Sequence, residues 1–289
     1  MSCVLELKNL GFVYGADTPF EKRAVDDVNL KINQGEFIGV IGHTGSGKST
    51  LMQMLNGLIR PTDGQVLLDG KDIWENPKKI RSVRFRVGMV FQYPEYQLFE
   101  ETVRKDIAFG PHNMGLEGEA LDKAVIDAAA FTGLKPELLD KSPFDLSGGE
   151  KRRAAIAGVI AMNPEVLVLD EPTAGLDPMG REVLLSQIVR YHKKRHNTVL
   201  LVSHTMEDIA RVADRIMVMN RGKLEMFAPT KEVFSRGEQL EQFGLKVPQI
   251  TKIMQQLRQK GFSVPEGVLT VDEAFEALLP MLEKEGKLW

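Results

Sequence analysis

The chain is 289 residues long, 43% of them apolar, with a formal net charge of −3 and a sequence pI near 6.0. This weakly acidic balance excludes a global attraction to nucleic acid, and no run approaches the roughly 18 to 20 apolar residues that cross a bilayer, so membrane attachment is expected only through a partner. Cys3 is the sole cysteine, which excludes an internal disulfide and points to a reducing compartment, and the N-terminus lacks the basic-then-apolar pattern of a leader.

In chain order, Leu5-Glu6-Leu7 and Val28-Asn29-Leu30-Lys31-Ile32 alternate as half-exposed strands. Phe37-Ile38-Gly39-Val40-Ile41 is apolar throughout and reads as a buried strand, while Leu51, Met52, Leu55 and Leu58 recur at helical spacing over residues 49–58. Between them lies Gly42-His43-Thr44-Gly45-Ser46-Gly47-Lys48-Ser49, a Gly-x-x-x-x-Gly-Lys-Ser loop in the strand-to-helix setting that gives the pattern its meaning. Glycines let backbone N–H groups close round an anion and the helix N-terminus adds partial positive charge. Lys48 adds a charge near the terminal phosphates, Ser49 is placed to bind magnesium, and Thr50 follows them into the helix. Binding of a nucleoside triphosphate, ATP with Mg2+, is the expectation.

Val66-Leu67-Leu68 precedes the turn Asp69-Gly70, and Val87-Gly88-Met89-Val90-Phe91 precedes Gln92, whose amide can donate and accept toward metal or water. Residues 117–133 are helical in pattern, and Leu146-Ser147-Gly148-Gly149-Glu150 opens a helix expected from 148 to about 162. Val166-Leu167-Val168-Leu169 has the continuous apolarity of a central parallel strand and ends in Asp170-Glu171. Alone, such a pair is an ordinary turn closing a strand. Beside a phosphate loop, Asp170 becomes a metal anchor and Glu171 the group that polarises attacking water. Val199-Leu200-Leu201-Val202 ends in the same manner at Ser203-His204, where His204 is expected to meet a γ-phosphate. Basic clusters at Lys78-Lys79-Ile80-Arg81 and Lys193-Lys194-Arg195 read as solvated surface, the second closing a helix predicted from Arg181. Beyond about Thr230, Ile250, Ile253, Met254 and Leu257 share one helical face, and Phe275, Leu278, Leu279 and Leu282 share another. Thr270 and Glu273 are spaced as a capping box, and Pro280 is expected to kink or shorten the second helix.

In this order and spacing, the pieces resemble the nucleotide-binding subunit of an ATP-binding-cassette (ABC) transporter over about residues 4–230. Residues 42–49 match Walker A, Gln92 the glutamine loop, 146–150 the signature, 166–171 Walker B, Gly175-Leu176-Asp177 the D-loop, and His204 the switch histidine. The resemblance implies an α/β P-loop NTPase fold of ABC ATPase type, with an antiparallel side sheet, a helical signature subdomain and a small C-terminal helical extension. It implies that Ser147 and Gly149, with Gly148 between them, address the γ-phosphate held by the opposite subunit's Walker A. Asp177 joins the nucleotide-binding set on the same ground. An aromatic residue before the second strand is implied to stack on adenine, with Tyr14 the first candidate and Phe12 the second.

A narrower resemblance rests on Phe91-Gln92-Tyr93-Pro94-Glu95-Tyr96-Gln97-Leu98-Phe99, with Thr102-Val103 and Asp106-Ile107-Ala108-Phe109-Gly110-Pro111. This stretch is similar to the ATPases of energy-coupling factor (ECF) transporters, importers of vitamins and of cobalt or nickel ions. The loop from His43 to Lys48, Thr18-Pro19-Phe20-Glu21 and the stretch from Ala174 to Arg181 resemble the second member of the ATPase pair that such complexes commonly use. The implied partners are a second ATPase subunit in a heterodimer, a transmembrane scaffold subunit and a substrate-binding membrane subunit, at the cytoplasmic face of the cell membrane. The segment from Tyr93 to Phe99 either packs between subdomains or, as the resemblance implies, lines a groove for a helix of the scaffold, with Glu95 meeting a basic side chain there. Glu150 replaces a commoner Gln, and Tyr93 and Tyr96 replace frequent Phe and His; these departures bear on subtype and remove no catalytic group.

Residues 1–230 are thus expected to form the nucleotide-binding domain, with its helical subdomain at about 115–165, and 231–289 an extension that packs on its own cassette or pairs subunits. The expected function is ATP binding and hydrolysis in an ECF-type importer. The alternatives are the ATPase of another ABC transporter, or a soluble ABC ATPase acting on nucleic acid or the ribosome. The soluble class usually carries a long coiled-coil insertion or two cassettes, whereas fewer than a hundred residues separate Lys48 from Leu146. A small-molecule kinase has no use for the signature.

Overall fold

A computed structural model, which describes residues 2–284, pairs two long antiparallel strands, β1 (Cys3–Tyr14) and β2 (Lys22–Asn33), at the start of the chain. β3 (Phe37–Ile41), buried at every position, feeds the phosphate loop and α1 (Lys48–Leu55). β4 (Asp63–Leu68) and the short β5 (Lys71–Asp72) return to the first pair and complete an antiparallel sheet in the order β2-β1-β4-β5. After α2 (Ile80–Arg86) and β6 (Val87–Val90) comes a helical layer of α3 (Val103–Asn113), α4 (Gly118–Thr132) and α5 (Gly148–Ile160). The chain then alternates through β7 (Val166–Asp170), α6 (Pro178–Arg195), β8 (Thr198–Val202), α7 (Met206–Val212), β9 (Arg215–Asn220) and β10 (Lys223–Pro229). It closes with α8 (Thr230–Ser235), α9 (Gly237–Gln242), α10 (Gln249–Gln259) and α11 (Val271–Lys284).

The second sheet runs β10-β9-β3-β8-β7-β6, parallel except for β10. Its central strands read as unbroken apolar runs because both faces are covered. Along β7, Val166 and Val168 enter the core shared with α1 and the antiparallel sheet, while Leu167 and Leu169 enter the core shared with the helical layer. Full burial of each such side chain contributes about 1.5–3 kcal/mol. The register pairs Val90 with Leu169, Asp170 with Val202, and Val40 with Val202. Four strands therefore end level on one edge, and the loops that follow them emerge side by side.

Several helices differ from the sequence expectation. α1 stops at Leu55 because Gly57 adopts a left-handed φ of 69°, which leaves Leu58 44% exposed instead of on a buried helical face. The Thr270–Glu273 capping box forms, with Glu273 N–H donating to Thr270 Oγ1 at 3.2 Å and Thr270 N–H donating to Glu273 Oε2 at 3.3 Å. Pro280 lies inside α11, which continues to Lys284, so the proline removes a ladder bond without ending the helix. The buried face of α11 is Ala274, with Ala277, Leu278 and Met281 packed beside it, and Phe275 is 64% exposed. Small side chains let α11 settle close against Met254, Ile250 and Leu257 of α10, which turns Phe275 and Ile253 outward. The Leu282 side chain lies outside the described residues.

Gly39, in the middle of β3, allows α7 to lie directly on the strand: a β-carbon there would come within 2.5 Å of Ile209 Cγ2 and 3.2 Å of Ala213 Cβ. Gly39→Ala is expected to cost about 1–3 kcal/mol of stability through overpacking. An unchanged chemical-denaturation midpoint would show that α7 is free to move off the strand.

Candidate nucleotide-binding site

The loops leaving that edge enclose a cleft of about 420 Å³. The phosphate loop contributes Thr44, Gly45, Gly47, Lys48 and Ser49, and the opposite wall carries Gln92, Glu171 and His204. Tyr14, Lys22, Ala24 and Thr50 line the remainder. Gly47 takes a φ of 99° with the Ala24 carbonyl directly where a side chain would project, so only glycine fits. Lys48 is buried, and its Nζ donates to the carbonyls of Gly42 at 2.7 Å and His43 at 2.9 Å, holding the loop curled around the ammonium. Burial pulls the Lys48 pKa below its ordinary value, while Glu171 and Asp170 act in the opposite sense. Ser46 is fully buried, with its N–H donating to His43 O at 3.1 Å. The His43 ring links Thr44 O (2.8 Å) to Asn220 Oδ1 (3.2 Å), tying the loop to the end of β9.

Tyr14 is half-exposed and its hydroxyl lies 3.1 Å from Thr50 Oγ1. Phe12 packs edge-on against it, ring centroids 4.8 Å apart, and leans on the core between the two sheets. Of the two aromatic candidates, Tyr14 is the one that lines the cleft.

Asp170, the last residue of β7, is buried. Burial raises its pKa, and the nearby Ser49 side chain only partly opposes the rise. Glu171 then turns sharply, with a φ of 51° and its N–H donating to Val202 O at 3.1 Å. Such a backbone costs on the order of 1–3 kcal/mol outside glycine and persists where surrounding contacts enforce it. The turn sends the carboxylate across the cleft, where it accepts from Gln92 Nε2 at 3.1 Å and lies 2.6 Å from His204 Nε2. Three residues distant in sequence, each following a different strand, thereby form one contiguous group.

The signature residues lie elsewhere. Ser147 caps α5: its N–H and hydroxyl both donate to Glu150 Oε2, at 2.9 and 2.7 Å, and Glu150 N–H reaches back to Ser147 Oγ at 3.4 Å. These bonds hold the Glu150 carboxyl below its usual range. Asp177 caps α6 by accepting from Gly180 N–H at 2.6 Å. Ser147, Gly148, Gly149 and Asp177 do not line the cleft of their own chain.

Of the two readings of Glu95, the structure shows packing within the chain. Its carboxylate is gripped by Arg152, Nε to Oε2 at 3.0 Å and Nη2 to Oε1 at 2.7 Å. Burial acts to raise the Glu95 pKa, but the Arg152 bonds outweigh it and the group lies below its ordinary value. Sequence reasoning missed Arg152 and the wall residues Lys22 and Ala24. A signal for Arg152 existed, since it shares the buried stripe of α5 with Ile156 and Ile160 at four-residue spacing.

The ABC transporter family model matches residues 25–174. The energy-coupling factor transporter ATP-binding protein EcfA2 of Caldanaerobacter subterraneus subsp. tengcongensis is 52% identical over 96% of this chain and 97% of its own. Among solved structures, cbiO1 from Clostridium perfringens, part of the ABC transporter complex cbiONQ, is 36% identical with a TM-score of 0.74, covering 88% of this chain and 100% of that one. The bacterial ABC transporter cassette MJ0796, solved as a dimer, is 28% identical with a TM-score of 0.71, covering 78% and 98%. The chain belongs to the ABC transporter family, and within it to the energy-coupling factor transporter ATP-binding proteins.

The raised Asp170 pKa has a signed consequence. The folded state binds this proton more tightly than the unfolded chain, so the ionised form costs stability at neutral pH and the cost disappears as pH falls through the carboxylate range. Asp170→Asn is expected to raise the melting temperature of the nucleotide-free chain at neutral pH, with the gain shrinking in acid. A variant that melts below wild type at neutral pH would contradict this.

Proposed function

We propose that the cleft binds Mg2+-ATP and that the chain hydrolyses it as one half of a two-ATP sandwich, energising a membrane importer of the ECF type. Tyr14 stacks on adenine, while the loop from Gly42 to Gly47 and the first turn of α1 cradle the phosphates. Lys48 exchanges its carbonyl partners for phosphate oxygens. The donors Ser49 and Asp170, with Gln92 at the edge, suit a hard dication: Asp170 is a buried acid short of compensating positive charge, and the Ser49 hydroxyl acts on it from nearby. Mg2+ held by these residues would supply positive charge to neutralise the phosphates.

Glu171 orients the attacking water and takes up its proton. In the arrangement described above, Gln92 and His204 occupy its two oxygens, one each. Each oxygen keeps a further lone pair that can hold water, so Gln92 and His204 steer the acid without blocking it. His204 also addresses the γ-phosphate.

The observation that carries the sandwich reading is the position of Ser147, Gly148, Gly149 and Asp177, capping helices outside their own chain's cleft. The N–H groups of Gly148 and Gly149, left over from the Ser147–Glu150 capping box, suit an anion held by a second protein. The partner is a related ATPase, in a heterodimer, and the pair engages a transmembrane scaffold and a substrate-binding membrane subunit. Vitamins or transition-metal ions are the cargo class, chosen by that last subunit. Attachment is peripheral, at the cytoplasmic face, through those membrane subunits. No helix among the described residues is long and apolar enough to cross a membrane. Residues 1–230 act as the cassette, with the helical subdomain at about 115–165, and 231–289 serve subunit pairing. The exposed side chains of Val271, Phe275 and Ile253 support that last assignment.

Purification of the tagged chain from membranes is expected to recover an integral membrane partner. Within that complex, Glu171→Gln should retain ATP binding and lower turnover by roughly 10²- to 10⁴-fold. Turnover near wild type would remove Glu171 from the chemistry, and recovery of the chain alone would count against the transport reading.

A further inference from the structure

The buried polar residues include one arginine, Arg152, and the hydrolytic scheme above gives it no task. It lies in α5, five residues beyond the Ser147 cap. Its Nε and Nη2 take both oxygens of Glu95, at 3.0 and 2.7 Å, and its Nη1 donates to the carbonyls of Pro172 (3.3 Å) and Ala174. Glu95 sits in a short 3₁₀ turn, Pro94–Gln97, three residues after Gln92. Pro172 and Ala174 belong to the turn that leads from Glu171 to Gly175-Leu176-Asp177. One side chain thus joins the glutamine loop, the signature helix and the backbone just past the water-orienting acid.

The geometry is more demanding than stability alone requires. A buried ion pair is often replaceable by apolar side chains at little cost, and α5 already buries Ile156 and Ile160 on the same stripe. A planar guanidinium instead fixes direction: its two-pronged grip on a carboxylate sets both distance and tilt, and its remaining edge addresses carbonyls lying in another direction. The segment it holds also carries exposed aromatic side chains, with Tyr96 85% and Phe99 59% exposed.

We propose that Arg152 is a positioning residue that locks the Gln92 loop, the signature helix and the turn beyond Glu171 into one moving unit. A push on the segment from Tyr93 to Phe99 is then delivered to Ser147 and Asp177 together and not absorbed by a flexible joint. This inference rests on the sandwich reading, because the signature matters only if it closes on another subunit's nucleotide.

The test compares wild type, Arg152→Lys, Arg152→Met, Glu95→Gln and the Glu95→Gln/Arg152→Met pair, using the full chain in the complex recovered from membranes. Steady-state ATP turnover, affinity for a fluorescent ATP analogue and melting temperature are measured for each. Arg152→Met is expected to lower kcat about tenfold while analogue affinity stays within about twofold of wild type, because Arg152 does not line the cleft. Arg152→Lys should restore part of the loss. In the pair, the two losses should overlap and not multiply, the mark of residues acting through one contact. A well-folded Arg152→Met with wild-type kcat, or losses that multiply, overturns the proposal. Should Arg152→Met fail to fold, Glu95→Gln and Arg152→Lys decide it, and wild-type kcat in both overturns it. If the wild-type chain recovers no membrane partner, the transport reading fails, and the same kcat comparison on the chain's own ATP turnover still decides the role of Arg152.

Discussion

Parallel register is the constraint from which the site follows. β3, β6, β7 and β8 are paired so that their C-terminal ends fall on one line, Val40 beside Val202, Val202 beside Asp170, and Leu169 beside Val90. Four chain segments leave this line within reach of each other, and they carry the phosphate loop, Gln92, Asp170-Glu171 and His204. Ligands collect at this edge of open α/β sheets because the strand ends diverge into loops with free backbone donors while the core below stays rigid. The two-sided burial of Val166 to Leu169 supplies that rigidity. A slip of one residue in β7 would exchange its two cores and move both carboxylates out of place.

Charge placed on that edge is poised by burial. Lys48, Asp170 and Glu171 face one another where water is largely excluded, so burial pulls the ammonium down and pushes Asp170 up. The arrangement leaves an acid that binds its proton too well and a lysine held by neutral oxygens of its own loop. A polyanion carrying a dication relieves both at once. Glu171 adds backbone strain to this unfinished electrostatics, in keeping with sites that give up some stability for readiness.

How legible these features were depends on the range over which they are encoded. The phosphate loop is local: glycines, lysine and serine stand within eight consecutive positions, and strand and helix periodicity flank them, so its chemistry can be read directly. Gln92 and His204 mean nothing alone and acquired roles only through their order along the chain. The Glu95–Arg152 pair was not legible because its partners lie 57 residues apart, and an acid near two tyrosines looks like surface until the packing of α5 is known. The ranking of Tyr14 ahead of Phe12 rests on the resemblance and not on pattern, since which ring faces the cleft depends on how β1 packs against the rest of the fold. The inward face of α11 was misjudged for a related reason: close approach to α10 favours Ala274 and Ala277 over the larger Phe275.

The central claim is that this chain's signature serves a nucleotide held by another protein. The most direct measurement is site-resolved nucleotide trapping in the assembled pair of ATPases, with Ser147→Arg introduced only in this chain. The account predicts that nucleotide is lost from the partner's phosphate loop while the nucleotide at this chain's Lys48 is retained. Loss confined to the Lys48 site, with the partner's site still filled, would contradict it.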